Sequence, residues 1–358
     1  MITAMTEQQM LYSEVSVRPD AAEKKEIRRR YGFIALMMAL HVAIYNIAPR
    51  LLAIICGAAS GGTGSLKQIM TAGQEFENLH DNIFIPLKIL LILLSEFIPV
   101  MIGMRHFKMS FKDLFRTDTF SQKDVVTSVF SGLGVQSASA VITVIITVIY
   151  FFITGSMLQQ PIDNGKMGAF ATMIYWIYVC IGAPVMEEIF MRGFLLGSLR
   201  KYGDCFAAVF SGLLFGLFHE NLYQASYAVP MGIFFAAVAL KTKSIVPTIL
   251  MHSLCNTTNM VMVTWIQYSM GAASTADMTE KIMAGNVTSM FPIVFNLIWR
   301  IGFVVAGIAM AVVMLTGKWK IRKATPAGKS RTWGLMLTTP MWIITLLYLI
   351  FINIYSLL

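Results

Sequence analysis

Nine stretches of this chain are apolar for the length that a helix needs to cross a bilayer, about 20 residues for a hydrocarbon core of ~30 Å. They fall near residues 32–56, 83–104, 124–154, 168–199, 204–221, 222–240, 245–270, 290–317 and 333–357. Inside hydrocarbon a backbone must satisfy its own N–H and C=O groups, which helices do. The expected fold is therefore an all-α, polytopic transmembrane helix bundle of eight or nine spans. The fifth and sixth stretches are short and abut, and eight spans result if 204–240 is organised differently. Composition agrees: of 358 residues only 13% are charged, 56% are hydrophobic, and mean hydropathy is +0.67. A soluble domain carries about 25% charged residues. An ordinary cytosolic enzyme, a disordered chain and a secreted disulfide scaffold are excluded.

The net charge of +9 is organised around the spans. With the N-terminus inside, twenty-one of the 28 Lys and Arg residues fall in cytoplasmic segments. They cluster at Arg18–Arg30, Arg105–Lys123, Arg200–Lys201, Lys241–Lys243 and Lys318–Arg331. Outer segments hold only Lys67, Lys166 and Lys281, and this asymmetry sets the N-terminus in the cytoplasm. Residues 1–30 read as a cytoplasmic tail and 31–357 as one membrane domain. The first span lacks a small-residue cleavage site and reads as an uncleaved helix. The segment 107–123 alternates aromatic and basic residues and reads equally as an amphipathic helix on the inner leaflet or as a loop. Cys56, Cys180, Cys205 and Cys255 sit in or beside apolar stretches without CxxC spacing, as buried thiols do.

Charge inside a span is costly and faces the bundle interior. The polar residues so placed are His41, Asn46, Arg50, Lys88, Glu96, Glu187, Glu188, Arg192, His219, Glu220, His252, Asn256, Asn259, Asn296 and Arg300. Lys88 and Arg50 can snorkel. Glu96 and Arg300 read as a structural ion pair or as cavity lining. The central group is dense and patterned. Glu187-Glu188-Ile189-Phe190-Met191-Arg192 has the form EExxxR. Glu188 and Arg192 are one turn apart and can pair, while Glu187 is rotated by about 100° and can point into the bundle. Pro184 just upstream removes a backbone hydrogen bond and can open the helix there.

Phe215 to His219 has the form FxxxH, and His252 to Asn256 the form HxxxN. Each alone is weak, since interfacial histidines and interhelical amide bonds are common. Ser211, Gly212 and Gly216 give the fifth span a small-residue face for close packing. Jointly the three spans offer carboxylate, two imidazoles and a carboxamide. A carboxylate with a histidine can activate water, and a histidine with an asparagine can donate to an oxyanion. No GxSxG supplies a covalent nucleophile. Cys255 lies on the same helix as His252 without a third group to complete a nucleophile–base pair. Glu187, His219 and His252 could also hold a divalent metal such as zinc, although no HExxH is present.

These three motifs, in this order and on separate spans, resemble the CPBP family, the CAAX-protease and bacteriocin-processing (Abi) membrane endopeptidases. Ala183 to Gly193 resembles the family's first motif, Ser211 to His219 the second and His252 to Asn256 the third, so the resemblance covers about residues 168–260. It implies an intramembrane endopeptidase in which Glu187 and His219 activate water, His252 and Asn256 stabilise the oxyanion, and Glu188 and Arg192 support the site. Family members have been described both as metalloproteases and as metal-free glutamate proteases, and both readings stay open here. CAAX specificity is not carried over.

The leading reading is thus a protease of a prokaryotic plasma membrane acting on a membrane-associated protein or peptide. The alternatives are a non-catalytic immunity or scaffold protein that binds a peptide through the same cavity, and an acid-lined transport pathway. No Walker or Rossmann fingerprint points to nucleotide, and nothing points to nucleic acid. The catalytic reading carries one strain. From the starts of their helices, His219 lies ~22 Å along and His252 only ~10 Å. The two meet only if the fifth helix begins in the cytosol or the seventh is tilted or shifted.

Overall fold

A computed structural model describes residues 21–158, 167–272, 275–285, 290–316 and 332–356. Residues 1–20, Lys166 and the basic cluster Lys318–Arg331 lie outside the described residues. Among the described residues there is no strand. The helices are α1 (Ala21–Ala59), α2 (Leu66–Leu79), α3 (Asp81–His106), α4 (Phe111–Leu114), α5 (Gln122–Thr154) and α6 (Ala169–Tyr202). They continue with α7 (Asp204–Leu217), α8 (Leu222–Thr242), α9 (Val246–Ser269), α10 (Thr275–Met283), α11 (Phe291–Thr316), α12 (Thr332–Leu337) and α13 (Pro340–Tyr355). The protein is a multi-pass integral membrane protein with an all-α bundle.

Every expected span is helical, but the spans are not equal. Six helices are long and apolar enough to cross a bilayer: α1 from Lys24, α3, α5, α6, α8 and α11 up to Val312. α7 and α13, with 14 and 16 residues, rise only ~21 and ~24 Å, short of a ~30 Å core. α9 is long enough at 24 residues but carries His252, Asn256 and Asn259. The last expected span is two helices, because the chain turns at Thr338–Thr339 and Pro340 opens α13. The charged run Glu23–Arg30 is the first turns of α1. The segment 107–123 is a loop with one helical turn, α4, whose Leu114 carbonyl accepts from Ile245 N–H at the entry to α9 (2.9 Å). The sequence signalled neither α2 nor α10. A capping box between Ser65 and Gln68 starts α2.

Close packing follows small residues. A Cβ on Gly212 of α7 would collide with the backbone of Ile233 on α8, and one on Gly232 with the Cα of Gly212. The small-residue face of the fifth span therefore seats α8 backbone to backbone, the geometry that small residues permit in membranes. Gly134 of α5 and Gly307 of α11 do the same. The core gathers Phe190, Phe194 and Leu199 of α6, Phe210 and Leu214 of α7, Ile34 and Met38 of α1, and Trp342 of α13. Outer faces of α5 and α11 show exposed Val144, Ile149, Leu297 and Ile301, as lipid contact requires.

Candidate active site

Helix α6 is irregular where the EExxxR motif lies. Tyr178–Gly182 and Ile189–Leu196 are π-helical, and the α-helical turn Ala183–Glu188 sits between them. π-segments inside α-helices concentrate at functional sites. Pro184 explains part of this. In the π register residue 184 would donate its N–H to Val179, and proline has none. The carbonyl of Val179 instead accepts from Asn256 Nδ2 of α9 (3.0 Å). The opening of the helix expected at Pro184 thereby becomes an anchor for the asparagine of the third motif.

The two carboxylates diverge as their rotation requires. Glu188 is fully buried and pairs with Arg192 Nη1 at 3.2 Å. Arg192 Nη2 also donates to the carbonyl of Gly232 (3.0 Å), and its guanidinium lies over the rings of Phe215 (4.5 Å) and Phe235 (5.4 Å). Glu187 is partly exposed and lines a cavity of ≈ 450 Å³. His252 stands between them, with Nδ1 3.1 Å from Glu188 Oε1 and Nε2 3.8 Å from Glu187 Oε2. A carboxylate only accepts, so Nδ1–H donates to Glu188 and Nε2 is left toward Glu187 and the cavity.

His219 lies in the turn after α7 and not on its last helical turn. Its Nδ1 donates to the carbonyl of Phe215 (2.7 Å), which leaves Nε2 as the ring's free lone pair. Phe215 bridges the axial offset between the histidines. Its ring meets His219 at 5.1 Å and His252 at 5.5 Å between centroids, both edge-on. Glu187, His219, His252 and Asn256 all line the one cavity, so residues from α6, the α7 turn and α9 converge.

The other polar outliers sort differently. Arg300 reaches Asn296 (2.9 Å) and Asn259, and Glu96 faces the cavity instead, so the cavity-lining reading holds for Glu96 and no Glu96–Arg300 pair forms. Lys88 pairs with Glu77 of α2 (2.9 Å). Glu220, with a left-handed φ of 55°, accepts from Asn46 of α1 (2.7 Å), and Arg50 bonds the same asparagine (2.9 Å). Glu220 thus ties the His219 turn to α1, a role the sequence left unassigned. Gln136 of α5 donates to the carbonyl of Cys255 (3.0 Å) and lines the cavity. A glutamine inside an apolar span was a readable signal, and sequence reasoning passed over it. Tyr45, Tyr175, Tyr178 and Tyr227 also line the cavity. No motif in the sequence singled them out. Cys255 is buried against Met231, Phe234 and Met251, away from the cavity.

Among the described residues no three His, Cys, Asp or Glu side chains are arranged to hold one metal ion. His219 has its Nδ1 engaged by Phe215, and His252 has its Nδ1 engaged by Glu188. Engagement at Nδ1 leaves both Nε2 atoms free, as in histidines that ligate metals, but as placed Glu187, His219 and His252 are not grouped around one ion, and no step below is routed through a metal.

Residues 169–258 match the family described as "Rce1-like: Type II CAAX prenyl endopeptidase Rce1-like". The chain is also 34% identical over 83 residues to "Putative membrane peptidase YdiL" of Bacillus subtilis (strain 168). That match spans 23% of this chain and 34% of the relative, about a third of its length. No solved structure matches. The family match falls on helices that build the cavity wall, and both matches point to peptidases. Residues 169–258, which hold all three motifs, are thus similar to Rce1-like CAAX prenyl endopeptidases.

Proposed function

We propose that the protein is an intramembrane endopeptidase that hydrolyses a peptide bond of a membrane-associated substrate. One observation carries the reading: Glu187, His219, His252 and Asn256, distant in sequence, line a single membrane cavity of ≈ 450 Å³ while Glu188 and Arg192 are locked behind it. A structural ion pair needs one carboxylate for one arginine; the second carboxylate is left for chemistry. In the proposed step the Glu187 carboxylate and the free Nε2 of His219 hold a water and take one of its protons. The water oxygen bonds to the carbonyl carbon, and the carbonyl oxygen becomes an oxyanion. His252, doubly protonated with Nδ1–H held by Glu188 and Nε2–H turned to the cavity, and the second N–H of Asn256 donate to it. The C–N bond then breaks, the proton passes to the leaving nitrogen, and a carboxylate and an amine depart. Glu188 and Arg192 are positioning residues: they hold His252 and do not touch substrate.

The test compares membrane-protein termini in cells that make the wild-type protein or Glu187→Gln at equal abundance. New termini seen only with the wild type are expected, and they name substrate and cleavage site together. An identical set of termini, with both proteins folded, overturns the reading in favour of a peptide-binding scaffold.

A further inference from the structure

The mechanism above uses one carboxylate of the cavity, but a second faces the same space. Glu96 comes from α3, outside the three motifs and outside the matched segment. It is only 9% exposed, lines the cavity, and its buried Oε2 has no hydrogen-bond partner among the described residues. Ordinary structural roles do not account for it. Arg300 is committed to Asn296 and Asn259, and Lys88, the cavity's one lysine, is committed to Glu77. A buried carboxylate oxygen without a donor is expensive unless something supplies one.

The same lining carries four tyrosines. Tyr45 of α1, Tyr175 and Tyr178 of α6, and Tyr227 of α8 share the cavity with Glu96 and Glu187. Tyrosine rings with carboxylates make a lining suited to a cation, because ring faces attract positive charge and carboxylates accept its hydrogen bonds. A purely apolar peptide would leave the Oε2 atoms of both carboxylates without partners. The cavity is open enough, at ≈ 450 Å³, for a long side chain beside a backbone segment.

We propose that Glu96 and the surrounding tyrosines form a subsite for a basic side chain, lysine or arginine, of a membrane-embedded substrate. The inference rests on the endopeptidase reading for the word substrate, but the subsite itself is a binding property. A lysine carried into an apolar span is costly for the substrate in lipid. Glu96 repays that cost inside the cavity, so the subsite selects peptides that have one.

The test uses two 20-residue apolar peptides in detergent micelles, identical except for one central lysine replaced by norleucine. Binding of each to the full-length protein is measured by titration against wild type, Glu96→Gln and Tyr178→Leu, with melting temperatures checking that each variant is folded. We expect the wild type to bind the lysine peptide ~10-fold more tightly, Glu96→Gln to lose that preference, and Tyr178→Leu to reduce it about threefold. Equal binding of the two peptides by wild type, or a preference that survives Glu96→Gln, overturns the subsite. Turnover of the lysine peptide by wild type against Glu187→Gln is read separately. Absent turnover with a Glu96-dependent preference refutes the protease and keeps the subsite.

Discussion

The wall behind the cavity and the cavity itself are built from the same helices but obey opposite rules. Behind, Glu188 pairs with Arg192 and with the Nδ1 edge of His252, and the guanidinium packs against Phe215 and Phe235 with no exposed side chain at the ion pair. In front, Glu187, Glu96 and the free edges of His219 and His252 face open space. Adjacent residues on one helix thus face the two sides, Glu188 the buried wall and Glu187 the cavity, where we propose that it reacts. The comparison teaches that the site's precision is made behind it. A buried charge pair costs desolvation whether or not it is useful, and here its geometry orients an imidazole toward the cavity.

Removing the front and leaving the wall gives the largest expected effect. Glu187→Gln should lower peptide turnover by about 10³-fold or more with an unchanged melting temperature, checked by cleavage assay and thermal scan of the purified protein. If activity stays within about threefold of wild type, Glu187 does not activate water. Breaking the wall should instead appear first in stability. Glu188→Ala strands Arg192 in a buried site and should destabilise by about 3–5 kcal/mol, with His252 misoriented and turnover reduced as well. Replacing both partners, as Glu188→Leu with Arg192→Met, should melt higher than Glu188→Ala alone. A double variant that melts no higher would remove the ion pair from the account.

Asn256 belongs to both sides, since one N–H holds Val179 and the other is free for the cavity. Asn256→Ala should cost about 10²–10³ in rate, seen in kcat more than in KM. Aspartate in its place keeps the shape but cannot donate, and should be equally slow. Gly212→Leu should destabilise by about 1–3 kcal/mol by forcing α7 from α8, with the loss visible as a lower melting temperature. The smallest effect is expected at Glu220. Glu220→Gly relieves the left-handed backbone by ~1 kcal/mol but gives up the Asn46 bond, so the net change in melting should lie within a degree or two.

Much of this was legible because spacing on a helix is rigid. EExxxR requires that Glu188 reach Arg192 and Glu187 turn away, and the structure has both. The apolar spans marked where helices form, and Ser211, Gly212 and Gly216 marked the close α7–α8 contact. What resisted reading is what depends on two elements at once. Glu96 and Arg300 could be listed as outliers, but which of them faced the cavity was decided by α3 and α11 packing apart. Glu220 had no role until α1 brought Asn46 to it. Gln136 and the tyrosines had no motif, because a cavity lining assembled from seven helices has no spacing in any one of them.

The sequence alone determined that the chain is a helical membrane bundle, since a bilayer leaves apolar segments of this length few other ways to satisfy their backbones. It also determined which carboxylate pairs with Arg192, because that follows from helical rotation, and it nominated Glu187, His219, His252 and Asn256 by side-chain type and by resemblance. The tertiary structure decided how the two histidines come together across unequal helical heights, with the ring of Phe215 in contact with both. It decided the π-segments of α6, where Asn256 takes a carbonyl that Pro184 cannot engage. It alone set Glu96 and four tyrosines around the same cavity. Local periodicity acts within one helix, whereas a cavity is the space that several helices leave between them.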